Sequence, residues 1–217
     1  MARYIIIGAG KFGYYATHTL FEAGAEVIVI DHDKSKVEAL QRFSSHGFVA
    51  DASDKKALEE IGVGKNVTAL VSVGGNISAS ILITLFLKEL DVPTIIVKAT
   101  SEEHGRALEK VGATEIIFPE RDMAKKTARN LIYPNILDSL TLSPDYTIIE
   151  LAPPKEFIGH SLAELDLRNR YKITVIAVRE IVPESFIVNP PAAFVITDSS
   201  VLIVLGKRSD FEAIPKD

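Results

Sequence analysis

The chain has 217 residues, with 29 acidic and 24 basic side chains, a formal charge of −5 and no cysteine. The acidic balance argues against a nucleic-acid binder, which needs a basic face to displace counterions. The missing cysteine rules out a disulfide framework and a thiolate metal site, and favours an intracellular location. The longest uncharged apolar run, residues 77–87, is closed by Lys88 and Glu89 and falls short of the roughly 20 apolar residues of a membrane span.

The first half of the chain reads as alternating short apolar runs and helical segments. Met1 leads directly into a strand without a signal-peptide pattern, so the expected location is the cytosol. Strands are predicted over 4–7, 27–30, 48–50, 69–73, 94–98 and 115–118. Helices are predicted over 12–23, 34–43, 54–61, 77–90 and 103–111. Continuous Ile/Val runs suggest strands buried on both faces, and parallel strands need helical crossovers. The expected fold class is α/β, a doubly wound parallel (Rossmann) sheet.

The first strand runs into Gly8-Ala9-Gly10-Lys11-Phe12-Gly13. In such a turn Gly8 permits the tight bend, Gly10 lets the backbone approach a pyrophosphate, and Gly13 lets the helix pack on the strand. The helix start then offers unpaired N–H groups to phosphates. Asp31 ends the second strand, where an acid is placed to accept ribose hydroxyls; it would repel a 2′-phosphate. Lys11 either places an ammonium beside a phosphate chain or points to solvent. His32 and Asp33 complete an acid-His-acid triplet, but Asp33 is more simply the cap of the next helix. Asp51, followed by Ala52 and Ser53, falls at the expected adenine edge, with turn formation as the competing role. A second glycine turn, residues 72–76, brings Gly75 and Asn76 to the same side of the sheet. Lys98 and Glu120 end the fifth and sixth strands; Lys98 could face phosphates, and Glu120 could do so through a divalent cation. Read without other information, Glu120 and Asp122 more simply stabilise the following helix start. Gly62 to Asn66 is a turn, since Glu59 and Asn66 break the phosphate-loop pattern.

Beyond Pro119 a helix is predicted over 122–132, interrupted by Pro134, with a second short helix over 135–140. Short strands follow over 147–151, 174–178, 185–188, 193–196 and 201–205, punctuated by prolines. The division drawn is a nucleotide-binding domain over 1–142 and a small α+β domain over 143–217, the latter small enough to favour dimerisation. None of the five histidines is flanked by a recognisable catalytic set, which shifts the reading from enzyme to sensor; the competing function is a small NAD-dependent oxidoreductase.

The motifs GAGKFG, VIDHD, ADASD, VGGNISASILITLFLKEL, VPTIIVKA and EKVGATEIIFPERDMAKKTA occur in an order that resembles the RCK (KTN) family. Its members are regulatory subunits of bacterial potassium uptake systems, of the KtrA and TrkA kind. DLRNRYKITVIAVRE and VLIVLG resemble the same family's C-terminal RCK domain. The resemblance implies a non-enzymatic cytoplasmic ring, usually an octamer of four dimers. The ring would be peripheral to the inner membrane through a potassium-translocating subunit of the KtrB or TrkH kind, with no nucleic-acid partner. It implies ATP/ADP, or NAD/NADH, in the Rossmann site, with Gly8, Gly10, Lys11, Phe12, Gly13, Asp31, His32, Asp51, Ala52, Gly75, Asn76 and Lys98 as the binding set. Lys11 stands where the family commonly has arginine, keeping the charge but losing the planar fork. A Mg or Ca ion is implied at Glu120, which reverses the simpler reading of that residue. The helices after Asp122 resemble the family's crossover between subunits. Some members bind cyclic di-AMP between C-terminal domains; the corresponding residues are Leu162, Arg168, Asn169, Tyr171 and Pro191. Arg168 is a phosphate partner or a structural ion pair.

Overall fold

The computed structural model describes residues 2–73 and 75–215. The chain divides into two units, one ending at Arg121 and the other beginning at Asp122. The first is built from β1 (Arg3–Ile7), α1 (Lys11–Glu22), β2 (Glu26–Asp31), α2 (Lys34–Ala39), β3 (His46–Val49) and α3 (Lys55–Ile61). It continues through β4 (Thr68–Val71), α4 (Ile77–Glu89), β5 (Thr94–Lys98), α5 (Glu102–Val111) and β6 (Glu115–Ile117). The six strands form one parallel sheet in the order β3-β2-β1-β4-β5-β6. The order reverses between β1 and β4, and ligands of open α/β sheets bind in the crevice at such a point.

The unbroken apolar runs have a simple cause. Side chains alternate across a strand, and here both faces are covered. Ile5 and Ile7 with Ile28 and Ile30 pack on one face against Leu58, Ile83, Leu87 and Leu108. Ile6, Val27 and Val29 pack on the other, against Leu40, Tyr14 and Leu20. Four helices start on side-chain caps: Asp33, Asp54, Asn76 and Ser101 each accept a backbone N–H of the first turn. Helix α1 does not. It starts at Gly10 with no side-chain cap, which leaves its first-turn N–H groups open to the crevice.

Helix α6 (Pro119–Ile132) spans the junction. The second unit then holds an antiparallel sheet in the order β10-β9-β11-β8-β7. Its strands are β7 (Ile136–Thr141), β8 (Tyr146–Leu151), β9 (Thr174–Glu180), β10 (Ser185–Val188) and β11 (Ser200–Lys207). Two short helices, α7 (Leu162–Leu165) and α8 (Leu167–Arg170), join the core around Phe157, Ile173, Val178 and Leu202.

Two expectations are corrected here. The segment predicted as a short helix over 135–140 is strand β7, with Ser139 opposite Ile149 and Leu140 opposite Ile148. Pro134 follows the end of α6 as expected, but the residues after it are held by pairing with β8, which local propensity does not register. They therefore belong to the second sheet, and the units part well before residue 142. The strand predicted over 193–196 is reduced to a single bridge between Ser161 and Val195, next to a turn closed from Phe194 N to the Pro191 carbonyl. Pro190 and Pro191 lack the N–H groups that a ladder needs.

Candidate functional site

A cleft of about 400 Å³ opens at the carboxyl ends of β1, β2 and β4. Gly8 and Gly10 form its floor at the uncapped start of α1. The turn is locked from below: Ser72 N donates to the Ile7 carbonyl at 2.7 Å, and Ser72 Oγ to the Gly8 carbonyl at 2.7 Å. Gly8 has a φ of +97°, and a Cβ on it would lie 2.8 Å from the Ser72 backbone. A Cβ on Gly13 would strike the Gly8 carbonyl oxygen, whereas one on Gly10 meets nothing within 4 Å. The three glycines thus separate as the sequence suggests, two serving the fold and one leaving room for a guest.

Asp31 is 6% exposed and already engaged. Its Oδ2 accepts from Ala9 N at 2.7 Å, its Oδ1 from Asp33 N at 2.9 Å, and His32 Nδ1 lies 3.4 Å from the latter oxygen. The carboxylate that would read a ribose is therefore also the brace of the glycine turn. Asp51 lines the far wall with Ala52 and Ser53. The Ser53 hydroxyl, then its backbone N–H, bond Asp51 Oδ1 at 2.6 and 2.9 Å and hold that carboxyl below its usual range. Asn76 lines the cleft while capping α4, where Ala79 N donates to its Oδ1 at 3.0 Å. Lys36, Ala79 and Ile83 complete the wall and were not singled out from sequence. Helical spacing from a capped start places Lys36 one turn beyond Asp33, and places Ala79 and Ile83 on one face of α4.

Lys11, Phe12, Gly13, Gly75, Lys98 and Glu120 are not among the cleft-lining residues. Lys11 is exposed and Gly13 buried under the turn. Lys98 is nearly buried, 5.9 Å from the centre of the Phe12 ring, and bonded to Glu120. That bond is the first cause holding the Glu120 carboxyl below its usual range. A single carboxylate engaged by an ammonium does not make a cation cage. Among the described residues no three His, Asp or Glu side chains converge on one point. The residues present in one chain do not by themselves fit a bound metal ion.

In the second unit a groove of about 420 Å³ is lined by Leu162, Arg168 and Asn169, together with Thr174 and Pro190. Arg168 is exposed and has no ion-pair partner among the described residues. The Asn169 amide is spent on Asp166, at 2.8 and 3.0 Å. Tyr171 does not line the groove; its ring centre lies 5.8 Å from that of Phe157, in the core. Pro191 likewise stands outside the lining.

A doubly wound sheet whose uncapped glycine turn opens on a cleft, followed by an antiparallel unit, defines a Rossmann-type chain with an appended C-terminal domain. Family profiles match one part of each unit: TrkA-N domain over residues 4–119 and TrkA-C domain over 146–216. Two relatives from Bacillus subtilis (strain 168) align along nearly the whole chain. The Ktr system potassium uptake protein C is 38% identical, over 98% of this chain and 96% of its own. The corresponding protein A is 34% identical, over 97% and 94%. The chain belongs to this TrkA-N/TrkA-C family of Ktr potassium uptake proteins. Among solved structures, a GsuK channel bound to NAD superposes with a TM-score of 0.64 at 17% identity, over 96% of this chain. The chain spans only 38% of that channel's length, and the likeness shows the fold.

Proposed function

We propose that this chain is the nucleotide-reading regulatory subunit of a potassium uptake system and leaves its guest chemically intact. The observation that carries the reading is full-length kinship with Ktr system proteins, in a chain whose cleft opens on an uncapped helix start. Unpaired N–H groups and the positive helix end favour a phosphate there. The apolar walls around Ala52, Val73 and Ile83 favour a base. Solved relatives of this fold include a channel that carries NAD; the charge around this cleft suits ATP and ADP as well. Lys11, exposed on the first turn of α1, and Lys98, bonded to Glu120, stand outside the cleft lining and would reach a longer phosphate chain by side-chain rearrangement, Lys98 exchanging Glu120 for a phosphate oxygen.

Discrimination follows from charge. A guest shifts a conformational equilibrium only by its differential affinity for the two states, typically about 1–3 kcal/mol or roughly 5- to 150-fold. A terminal phosphate that recruits Lys11 and displaces Glu120 from Lys98 supplies such a difference. The partner is a membrane potassium-translocating subunit, met by a ring of copies of this chain. No described helix is long and apolar enough to cross a membrane. Glu120, freed from Lys98, becomes available to a divalent cation only if phosphate oxygens and a second copy complete its ligands. The C-terminal groove with Arg168 suits a cyclic dinucleotide phosphate such as that of cyclic di-AMP.

Calorimetric titration of the full-length protein with ATP, ADP and NADH tests this, together with a product assay on the same samples. Saturable binding without turnover, and an ATP-to-ADP affinity ratio that moves at least fivefold in Lys11→Ala or Lys98→Ala, is the expected result. Turnover of the nucleotide, or oxidation of NADH by a carbonyl substrate, overturns the regulatory reading. An unchanged ratio in both variants overturns the charge mechanism.

A further inference from the structure

A smaller cavity, about 100 Å³, lies within the second unit away from the groove at Arg168. Its floor is apolar: Ile136, Ile149 and Phe211 are 9%, 2% and 6% exposed. Its polar side is built from donors. Arg129 Nη1 donates to Ser139 Oγ at 3.0 Å, and neither Arg129 nor Arg208 forms an ion pair among the described residues. The Arg208 side chain has no hydrogen bond there either. Among the described residues no Asp or Glu lines the cavity. Three described carboxylates next to it in sequence are committed elsewhere, Asp138 to Lys126 at 2.9 Å, Glu150 to Arg179 at 2.7 Å and Asp210 to the Lys207 backbone N–H at 3.2 Å.

We propose that this cavity binds a small organic carboxylate, its apolar body on Ile136, Ile149 and Phe211 and its anionic group on Arg129 and Arg208. Two guanidinium groups present about ten N–H donors between them. Ser139 uses its oxygen to accept from Arg129, and its own hydrogen adds another donor. A site rich in donors, with no carboxylate among its described lining residues, is complementary to an anion, and the planar fork of arginine matches a carboxylate edge. The apolar floor decides which anion. Inorganic phosphate would leave Ile149 and Phe211 facing empty space, whereas a short alkyl carboxylate covers them and removes that surface from water. The volume limits the body to a few carbons.

Titrating the full-length protein with sodium butanoate, 1-butanol and inorganic phosphate, followed by ligand-observed NMR and calorimetry, tests the assignment. Butanoate is expected to saturate, with butanol and phosphate at least tenfold weaker, and saturating ATP is expected not to displace it. A guanidinium–carboxylate contact removed by Arg208→Gln should weaken butanoate by roughly ten- to a hundredfold. Arg129→Lys, which keeps the charge and loses the fork, should weaken it as well. Arg208 is exposed, so its variant is expected to fold as the parent does, and it decides the question alone if the Arg129 variant does not fold. No saturation, equal binding of butanol, equal binding of phosphate, or unchanged butanoate affinity in Arg208→Gln each overturns the proposal.

Discussion

Replacing Asp31 by asparagine separates the two tasks that the structure gives this carboxylate. Its two oxygens accept backbone N–H groups from Ala9 and Asp33, at 2.7 and 2.9 Å, in a position only 6% exposed. Asparagine keeps one carbonyl oxygen and turns an NH₂ toward the other donor, which then stands buried without a partner. A hydrogen bond to a charged group contributes about 1.5–3 kcal/mol, and an unsatisfied buried donor costs about 1–3 kcal/mol. The sum, with some relaxation of the turn, is a loss of about 2–4 kcal/mol in the first unit. For a unit of this size that lowers the melting temperature by roughly 8–16 °C. Differential scanning calorimetry without nucleotide measures it, and hydrogen exchange at the Ala9 amide locates it. Asp51→Asn serves as the comparison: Asp51 is exposed and bonds only its own turn, so the change should stay within about 1 kcal/mol. If Asp31→Asn melts within about 2 °C of the parent and loses only nucleotide binding, the carboxylate is a ribose acceptor alone and the brace is refuted.

Two further outcomes follow from the same geometry. Gly10→Ala should melt as the parent does yet lose nucleotide affinity. Gly13→Ala forces α1 off the Gly8 carbonyl and should destabilise by about 1–3 kcal/mol or more, so equal melting of both variants would contradict the division of roles. His104 is 3% exposed, and burial holds its pKa below the ordinary 6.5. Thr100 N donates to its Nδ1 at 3.3 Å, so Nε2–H faces Ser80 Oγ at 2.7 Å. The unfolded chain therefore binds the proton first. The stabilisation is complete above about pH 6.5 and lost as the pH falls below it. His104→Gln should flatten that slope in urea unfolding between pH 7 and 5, and an unaltered slope would place the titration elsewhere.

The site was legible where chemistry is local in the chain. The glycine turn, Asp31 at the strand end and the cap Asp33 each follow from a few neighbouring residues, and the structure has Gly10 opening α1, Asp31 ending β2 and Asp33 capping α2. Lys36, Ala79 and Ile83 were not legible because a helix face becomes a wall only once the sheet has set its position. The short strand 136–141 was misread for a related reason: after a proline, its residue pattern is compatible with helix or strand, and the edge of β8 selects strand.

By itself, the order of residues determined a doubly wound nucleotide fold, because strands buried on both faces and capped helices leave a pattern at every turn. Tertiary structure decided what could only arise from distant groups. It spent both oxygens of Asp31 on the glycine turn, paired Lys98 with Glu120, gave β7 to the second sheet and gathered Arg129 and Arg208 over an apolar floor. Ala9 and Asp31, like Lys98 and Glu120, stand 22 residues apart in the chain, and Arg129 and Arg208 further still, so no short window of sequence contains both partners.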